Sequence, residues 1–187
     1  MANLSNVLNK TTKSPFSKKN KIARLVWGIF YNLFFRLTPH WSFHTYRNFI
    51  LTLFGAKIGQ GSIVYPSAKI FAPWNLEIGE YTCIGPDTDI YNMDKIIIGD
   101  NVTISQNSVL CTGSHDISSS SMQLFTKPIF IQNQTWICAY SKVMLGVTIS
   151  EGSVIGLGSV LIHSTDKWKV YAGNPAKYIK DRVIDHD

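Results

Sequence analysis

Residues 131–161 read "IQNQTWICAYSKVMLGVTISEGSVIGLGSVL", and every sixth position is aliphatic: Ile131, Ile137, Val143, Ile149, Ile155 and Leu161. Six matches neither the helical period of 3.6 nor a plain strand alternation. It fits a unit that returns to one direction after a short strand and a corner. The beat also runs upstream, through Ile58, Val64, Ile70 and Leu76, then Ile78, Ile84, Ile90 and Ile96, then Ile98, Ile104 and Leu110. Ile58-Gly59, Ile78-Gly79 and Ile98-Gly99 recur every twenty residues, whereas the later coils fill eighteen. Three six-residue sides make one triangular coil, and the extra pair in "NLEIG" and "KIIIG" is absorbed at a corner. The pattern predicts a mainly β protein, a parallel β-helix of about five triangular coils. Inward aliphatics stack, and backbone hydrogen bonds run from coil to coil.

The beat divides the 187 residues. Residues 1–21 form a basic polar tail, 22–54 a helical region and 55–165 the β-helix with an extruded loop at 112–128. Residues 166–187 form a capping segment, with Asn174 as N-cap and Pro175 as first residue of a short C-terminal helix. In the segment "IARLVWGIFYNLFFRL", residues 22–37, Ile22, Leu25, Val26, Ile29, Phe30, Leu33, Phe34 and Leu37 follow a helical period. Trp27, Tyr31 and Phe35 lie on the other side with Arg24, Asn32 and Arg36.

Residues 1–76 hold ten Lys or Arg and no acid, whereas residues 77–187 hold eight basic and twelve acidic side chains. The net +6 therefore belongs to one end. The apolar segment is shorter than a spanning helix requires. It reads either as a cap on the β-helix or as an interfacial helix on an anionic leaflet. This gives a cytoplasmic protein, with a peripheral place on the inner membrane face as the sharper option. No nucleic-acid motif accompanies the lysines. The three cysteines, Cys83, Cys111 and Cys138, lack metal-ligand spacing and fit a reducing compartment.

The beat stops once, between Leu110 and Ile129–Ile131, where "CTGSHDISSSSMQLFTKP" intervenes. A loop of that length in a compact repeat is more often functional than idle. His115 stands at its root, with a functional and a loop-anchoring role both open.

The [LIV]-G-x4 beat resembles the hexapeptide-repeat acyltransferases, which fold as left-handed parallel β-helices. "CTGSHD", residues 131–161 and "YAGNPAKYIK" narrow the resemblance to the colanic-acid, exopolysaccharide O-acetyltransferase type, related to galactoside and maltose acetyltransferases. It covers residues 55–182. It implies an acetyl-CoA-dependent O-acetyltransferase acting on a sugar hydroxyl of a polysaccharide precursor. It also implies no metal and a homotrimer with active sites between subunits.

On that resemblance His115 matches the catalytic histidine and serves as general base, with Asp116 either orienting it or forming a turn. On the preceding coil Asn92, Asp94 and Tyr91 offer an amide, a carboxylate and a ring, either for acceptor binding or for hydrogen bonding within the corner. The CoA-contacting positions fall on Ala139, Leu157, Lys177 and Lys180, and the Ala139 amide is a candidate oxyanion donor. The usual Thr-Lys-Asp after the last coil is Ile162-His163-Ser164 here, so His163 substitutes weakly for a cation. Cys138 and Gln132 stand where glycine is common. Alternatives are acyl or N-acetyl transfer to another small acceptor, and a non-catalytic β-helix scaffold. A three-histidine zinc enzyme on this fold lacks its paired histidines here.

Overall fold

The computed structural model of the chain describes residues 16–184. The first fifteen residues of the expected tail, and His186, lie outside the described residues. Five complete triangular coils stack along one axis. They are β1 (Lys57–Ile58), β2 (Ile63–Val64) and β3 (Lys69–Ile70); β4 (Leu76–Ile78), β5 (Cys83–Ile84) and β6 (Asp89–Tyr91); and β7 (Ile96–Ile98), β8 (Thr103–Ile104) and β9 (Val109–Cys111). After the loop come β12 (Ile129–Ile131), β13 (Trp136–Ile137) and β14 (Lys142–Met144), then β15 (Thr148–Ile149), β16 (Val154–Ile155) and β17 (Val160–Leu161). Like sides pair in parallel into three sheets: β1-β4-β7-β12-β15, β2-β5-β8-β13-β16 and β3-β6-β9-β14-β17. The register keeps the rungs aligned, with Ile78 over Ile98, Ile98 over Ile131, and Ile131 over Ile149.

Every inward rung from Val64 to Leu161 is buried. The 20-residue coils use their extra pair at one corner, so Leu76 and Ile96 also point inward. At that corner Gly59, Gly79 and Gly99 stack backbone on backbone. A Cβ on Gly79 would come 2.6 Å from the Gly99 carbonyl carbon, so only glycine fits without a shift.

A β-helix leaves different groups bare at its two ends. Between coils, the N–H groups along the sides donate forward, as in Ile63 N–H to Thr82 O, Tyr65 N–H to Ile84 O and Phe71 N–H to Ile90 O, whereas corner amides such as Tyr81 N–H to Gln60 O donate back. The first coil therefore presents carbonyls with no preceding coil to serve them, and the last presents N–H groups. Three side-chain donors from the helical region fill the first gap. Asn48 Nδ2 donates to Ser62 O, Arg47 Nε to Val64 O and Trp27 Nε1 to Ile70 O, each at 2.7 Å. Ser62, Val64 and Ile70 are the first-coil counterparts of Thr82, Ile84 and Ile90. At the far end, hydroxyls accept instead: Ser164 Oγ from Thr148 N–H at 3.0 Å and Thr165 Oγ1 from Ser150 N–H at 2.9 Å.

The helical region comprises α1 (Lys18–Phe30), a π-helical turn over Tyr31–Phe35, and α2 (His44–Leu53). Ser17 caps α1 by accepting the Asn20 N–H at 3.2 Å, so the helix begins inside the stretch expected to be tail. The face that packs is the one opposite the aliphatic stripe. Trp27 and Phe35 are buried with Tyr31 beside them, whereas Leu25 (66% exposed), Leu33 and Leu37 (74%) face outward.

The C-terminal segment is not helical. β18 (Lys169–Gly173) adds a sixth, partial turn by pairing with β16, and β19 (Ala176–Asp181) returns antiparallel to it. The open edge of β16 supplies backbone partners, as in Gly156 N–H to Tyr171 O at 2.7 Å. Val170, Tyr171, Tyr178 and Ile179 suit a strand. Asn174 and Pro175 form the turn of this hairpin rather than a helix start.

Candidate active site

The extrusion at 112–128 is a built hairpin. β10 (Gly113–His115) pairs antiparallel with β11 (Leu124–Thr126), with His115 opposite Leu124. Its root is tied to the second coil. Thr112 donates to the Tyr91 carbonyl through N–H at 3.2 Å and Oγ1 at 3.0 Å, and Thr112 Oγ1 accepts the Asp94 N–H at 3.0 Å. Thr126 Oγ1 donates to Asp94 Oδ2 at 3.0 Å, latching the second strand to the same corner. Gly113 crosses Met93 so closely that a Cβ would lie 2.6 Å from the Met93 sulfur.

His115 is exposed, and its Nδ1 lies 2.6 Å from the Met122 carbonyl oxygen. A carbonyl only accepts, so Nδ1 carries a hydrogen, and in the neutral ring the lone pair is on Nε2. The ring is aimed and its basic nitrogen is free. Asp116 does not supply this orientation. Its carboxylate accepts from Ser118 N–H at 2.9 Å and Ser118 Oγ at 2.5 Å, and its own N–H donates to Gln123 O. The Ser118 bonds hold the Asp116 carboxyl below the usual carboxylate range. This is the turn-forming arrangement.

The three acceptor candidates separate. Asn92 is fully buried; its Oδ1 accepts the Ala72 N–H at 3.0 Å and its Nδ2 donates to the Ala72 carbonyl at 2.7 Å. Both ends of the amide thus serve the corner, and the expected grip on an acceptor has no free group there. Asp94 latches the hairpin as described and also accepts the Lys95 N–H. Tyr91 presents its ring on the outer face of β6, 4.8 Å from the Phe71 ring.

The donor candidates lie on later coils. Ala139 and Leu157 occupy the same corner one coil apart, where the Gly158 N–H donates to the Ala139 carbonyl at 2.9 Å. Ala139 is buried and Leu157 is 74% exposed. His163 is exposed just past β17. Lys177 and Lys180 sit on β19, not on a helix. A bulge pairs Ala172 with Lys177 and Val170 with Lys180, so the two lysines share one face. Among the described residues no hydrogen bond joins this group to the His115 hairpin. Nor does any group of three His, Cys, Asp or Glu among them stand ready to hold a metal ion.

Sequence reasoning missed the Met122 carbonyl and the Thr126–Asp94 latch. Both depend on hairpin pairing across a stretch with no strand periodicity of its own.

No protein-family model matches the chain. The putative colanic acid biosynthesis acetyltransferase WcaF of Escherichia coli is 39% identical over 168 residues, covering 90% of this chain and 92% of that protein. Among solved structures, a galactoside acetyltransferase in complex with coenzyme A superposes with a TM-score of 0.80 at 25% identity, over 90% of this chain and 84% of that one. A hexapeptide-repeat acetyltransferase from Vibrio cholerae complexed with acetyl coenzyme A gives a TM-score of 0.82 at 22% identity, over 98% and 100%. The stacked six-residue sides and this likeness along nearly the whole length agree: the chain belongs to the hexapeptide-repeat acetyltransferases and is similar to the colanic acid biosynthesis type.

Proposed function

We propose that this acetyltransferase moves the acetyl group of acetyl-CoA to a sugar hydroxyl of a polysaccharide precursor, with His115 as general base. The observation that carries the reading is the His115 Nδ1 contact to Met122 O, which assigns the lone pair of the neutral ring to Nε2 on an exposed histidine of a hairpin braced at its root. Nε2 takes the hydroxyl proton as the sugar oxygen attacks the thioester carbonyl. The tetrahedral oxyanion forms near the Ala139 amide, the candidate donor. Collapse breaks the carbon–sulfur bond, and the departing CoA thiolate recovers the proton from the imidazolium. The products are the acetylated sugar and free CoA, with no acyl-enzyme between.

The CoA arm runs along the Ala139–Leu157 corner, with Lys177 and Lys180 meeting the nucleotide phosphates and His163 beside them. The reading includes a homotrimer in which neighbouring subunits complete each site. Names of the relatives support the sugar acceptor. A thiol-release assay with acetyl-CoA and a panel of free, nucleotide-linked and prenyl-linked hexoses tests the reading. Sugar-dependent CoA release is expected, and acetylation of only non-sugar acceptors would overturn it.

The exposed aliphatic face of α1, together with exposed Trp41 (73%), Phe49 and Leu53 elsewhere in the helical region, supports a peripheral place on the inner membrane face. Every charged residue before Glu77 in the sequence is cationic. No helix among the described residues is long and apolar enough to cross a membrane.

A further inference from the structure

A cavity of about 310 Å³ lies between α1 and the outer faces of β3 and β6. Trp27, Tyr31, Phe71 and Tyr91 supply its rings, and Arg24, Lys69 and Asp89 its charges. That size suits one sugar ring with a small anionic group. Lys69 and Asp89 are register partners on neighbouring strands, yet no ion pair closes between them. Four ion pairs form among the described residues, and none involves these three side chains. Arg24 is instead oriented, its guanidinium 4.3 Å from the Phe16 ring centre and 4.7 Å from that of Phe71, with Nε donating to Asn20 Oδ1 at 3.0 Å. Those contacts hold the head group in place and engage only one of its five N–H donors. Asp89 makes no side-chain hydrogen bond among the described residues, and burial pushes its carboxyl up while Lys69 pulls it down. A half-buried carboxylate, two cations and four rings, with no ion pair formed among the charges, suit a ligand that is hydroxyl-rich at one end and anionic at the other.

The geometry points to a glycosyl phosphate as the occupant: the sugar packs on Tyr91 and Phe71 with a hydroxyl on Asp89, and the phosphate meets Arg24 and Lys69. The cavity is connected to the His115 hairpin through its own coil. The Tyr91 carbonyl that accepts both Thr112 bonds belongs to the residue whose ring lines the cavity, and His115 follows Thr112 by three residues. The inference deepens the sugar-acetyltransferase reading and rests on it for the role of the bound sugar as acceptor. The binding itself does not depend on catalysis. Nucleotide-linked and lipid-linked sugars share this chemistry, and α1, which roofs the cavity, turns its opposite face outward as an apolar surface.

Calorimetry on full-length His115→Ala protein tests binding apart from turnover, with galactose, inorganic phosphate and galactose 1-phosphate as probes. The phosphate ester is expected to bind at least about tenfold tighter than either fragment. The double variant Arg24→Gln/Lys69→Gln is expected to lose that advantage, whereas Lys57→Gln, on the exposed Glu77 ion pair, keeps it. No advantage for the ester, or an advantage that survives the double variant, overturns the proposal. A uridine diphosphate hexose and a prenyl diphosphate hexose in micelles then identify the carrier by which shows the same dependence on Arg24 and Lys69; dependence in neither overturns it. Sugar-stimulated CoA release by the wild-type protein, measured alongside, judges the transferase reading separately.

Discussion

Trp27 Nε1 donates to the Ile70 carbonyl at 2.7 Å across forty-three residues of sequence. In the coil above, the same position is served by a backbone amide, Phe71 N–H to Ile90 O at 3.1 Å. The indole thus stands in for a coil that does not exist, and Arg47 and Asn48 do the same at Val64 and Ser62. The helical region is in effect a zeroth coil built from side-chain donors.

Replacing Trp27 by Phe keeps most of the apolar contact and orphans the Ile70 carbonyl. A loss of about 1–3 kcal/mol is expected in denaturant unfolding. Arg47→Met removes the donor to Val64 O and the Nη1 bonds to Thr38, Pro39 and Ser42, and should cost about 3 kcal/mol or more. Equal stability of both variants and the wild type would refute the capping role.

The same cap carries a pH dependence. His44 Nδ1 lies 2.6 Å from Arg47 Nη2, a donor, so the ring must be neutral there. Burial first, and then the Arg47 charge, push the His44 pKa below its ordinary value. The unfolded chain therefore takes up a proton before the folded one does as pH falls. Stability is complete above about pH 6.5 and declines as the pH drops below it. Thermal melts from pH 8 to pH 5 should show a drop that is smaller in His44→Gln.

At the glycine corner, Gly79→Ala should cost about 1–3 kcal/mol, because its Cβ would meet the Gly99 backbone at 2.6 Å. Chemical denaturation checks this, and an unchanged midpoint would mean that the corner relaxes freely.

Asp116 is expected to be a minor contributor to turnover. Its carboxylate is engaged by Ser118, and His115 is oriented by Met122 instead. Asp116→Asn should keep kcat within a few-fold of wild type. A loss comparable to that of His115→Ala would place the carboxylate in the chemistry.

The β-helix was legible because each rung obeys one local rule: an aliphatic every sixth residue, facing a neighbour of its own kind. Val64, Ile90 and Leu161 need no partner outside the repeat. The cap was harder to read because periodicity ranks side chains by hydrophobicity alone. It set out the aliphatic face without saying which side packs, and the side that does carries an indole that both fills space and serves the Ile70 carbonyl. The C-terminal hairpin depended on the open edge of β16, which lies outside its own sequence window. Asn92 has the chemistry of a sugar ligand, but the residue that claims it, Ala72, is twenty positions away. His115 was legible as the break in a regular pattern. The carbonyl that sets its tautomer was not.

The central claim is that Nε2 of His115 removes the acceptor proton. Steady-state acetyl transfer by His115→Ala, with the acceptor that the wild-type protein uses, tests it most directly. The account predicts a fall in kcat of about 10²–10⁴-fold with little change in the KM for acetyl-CoA. Transfer at the wild-type rate would contradict it.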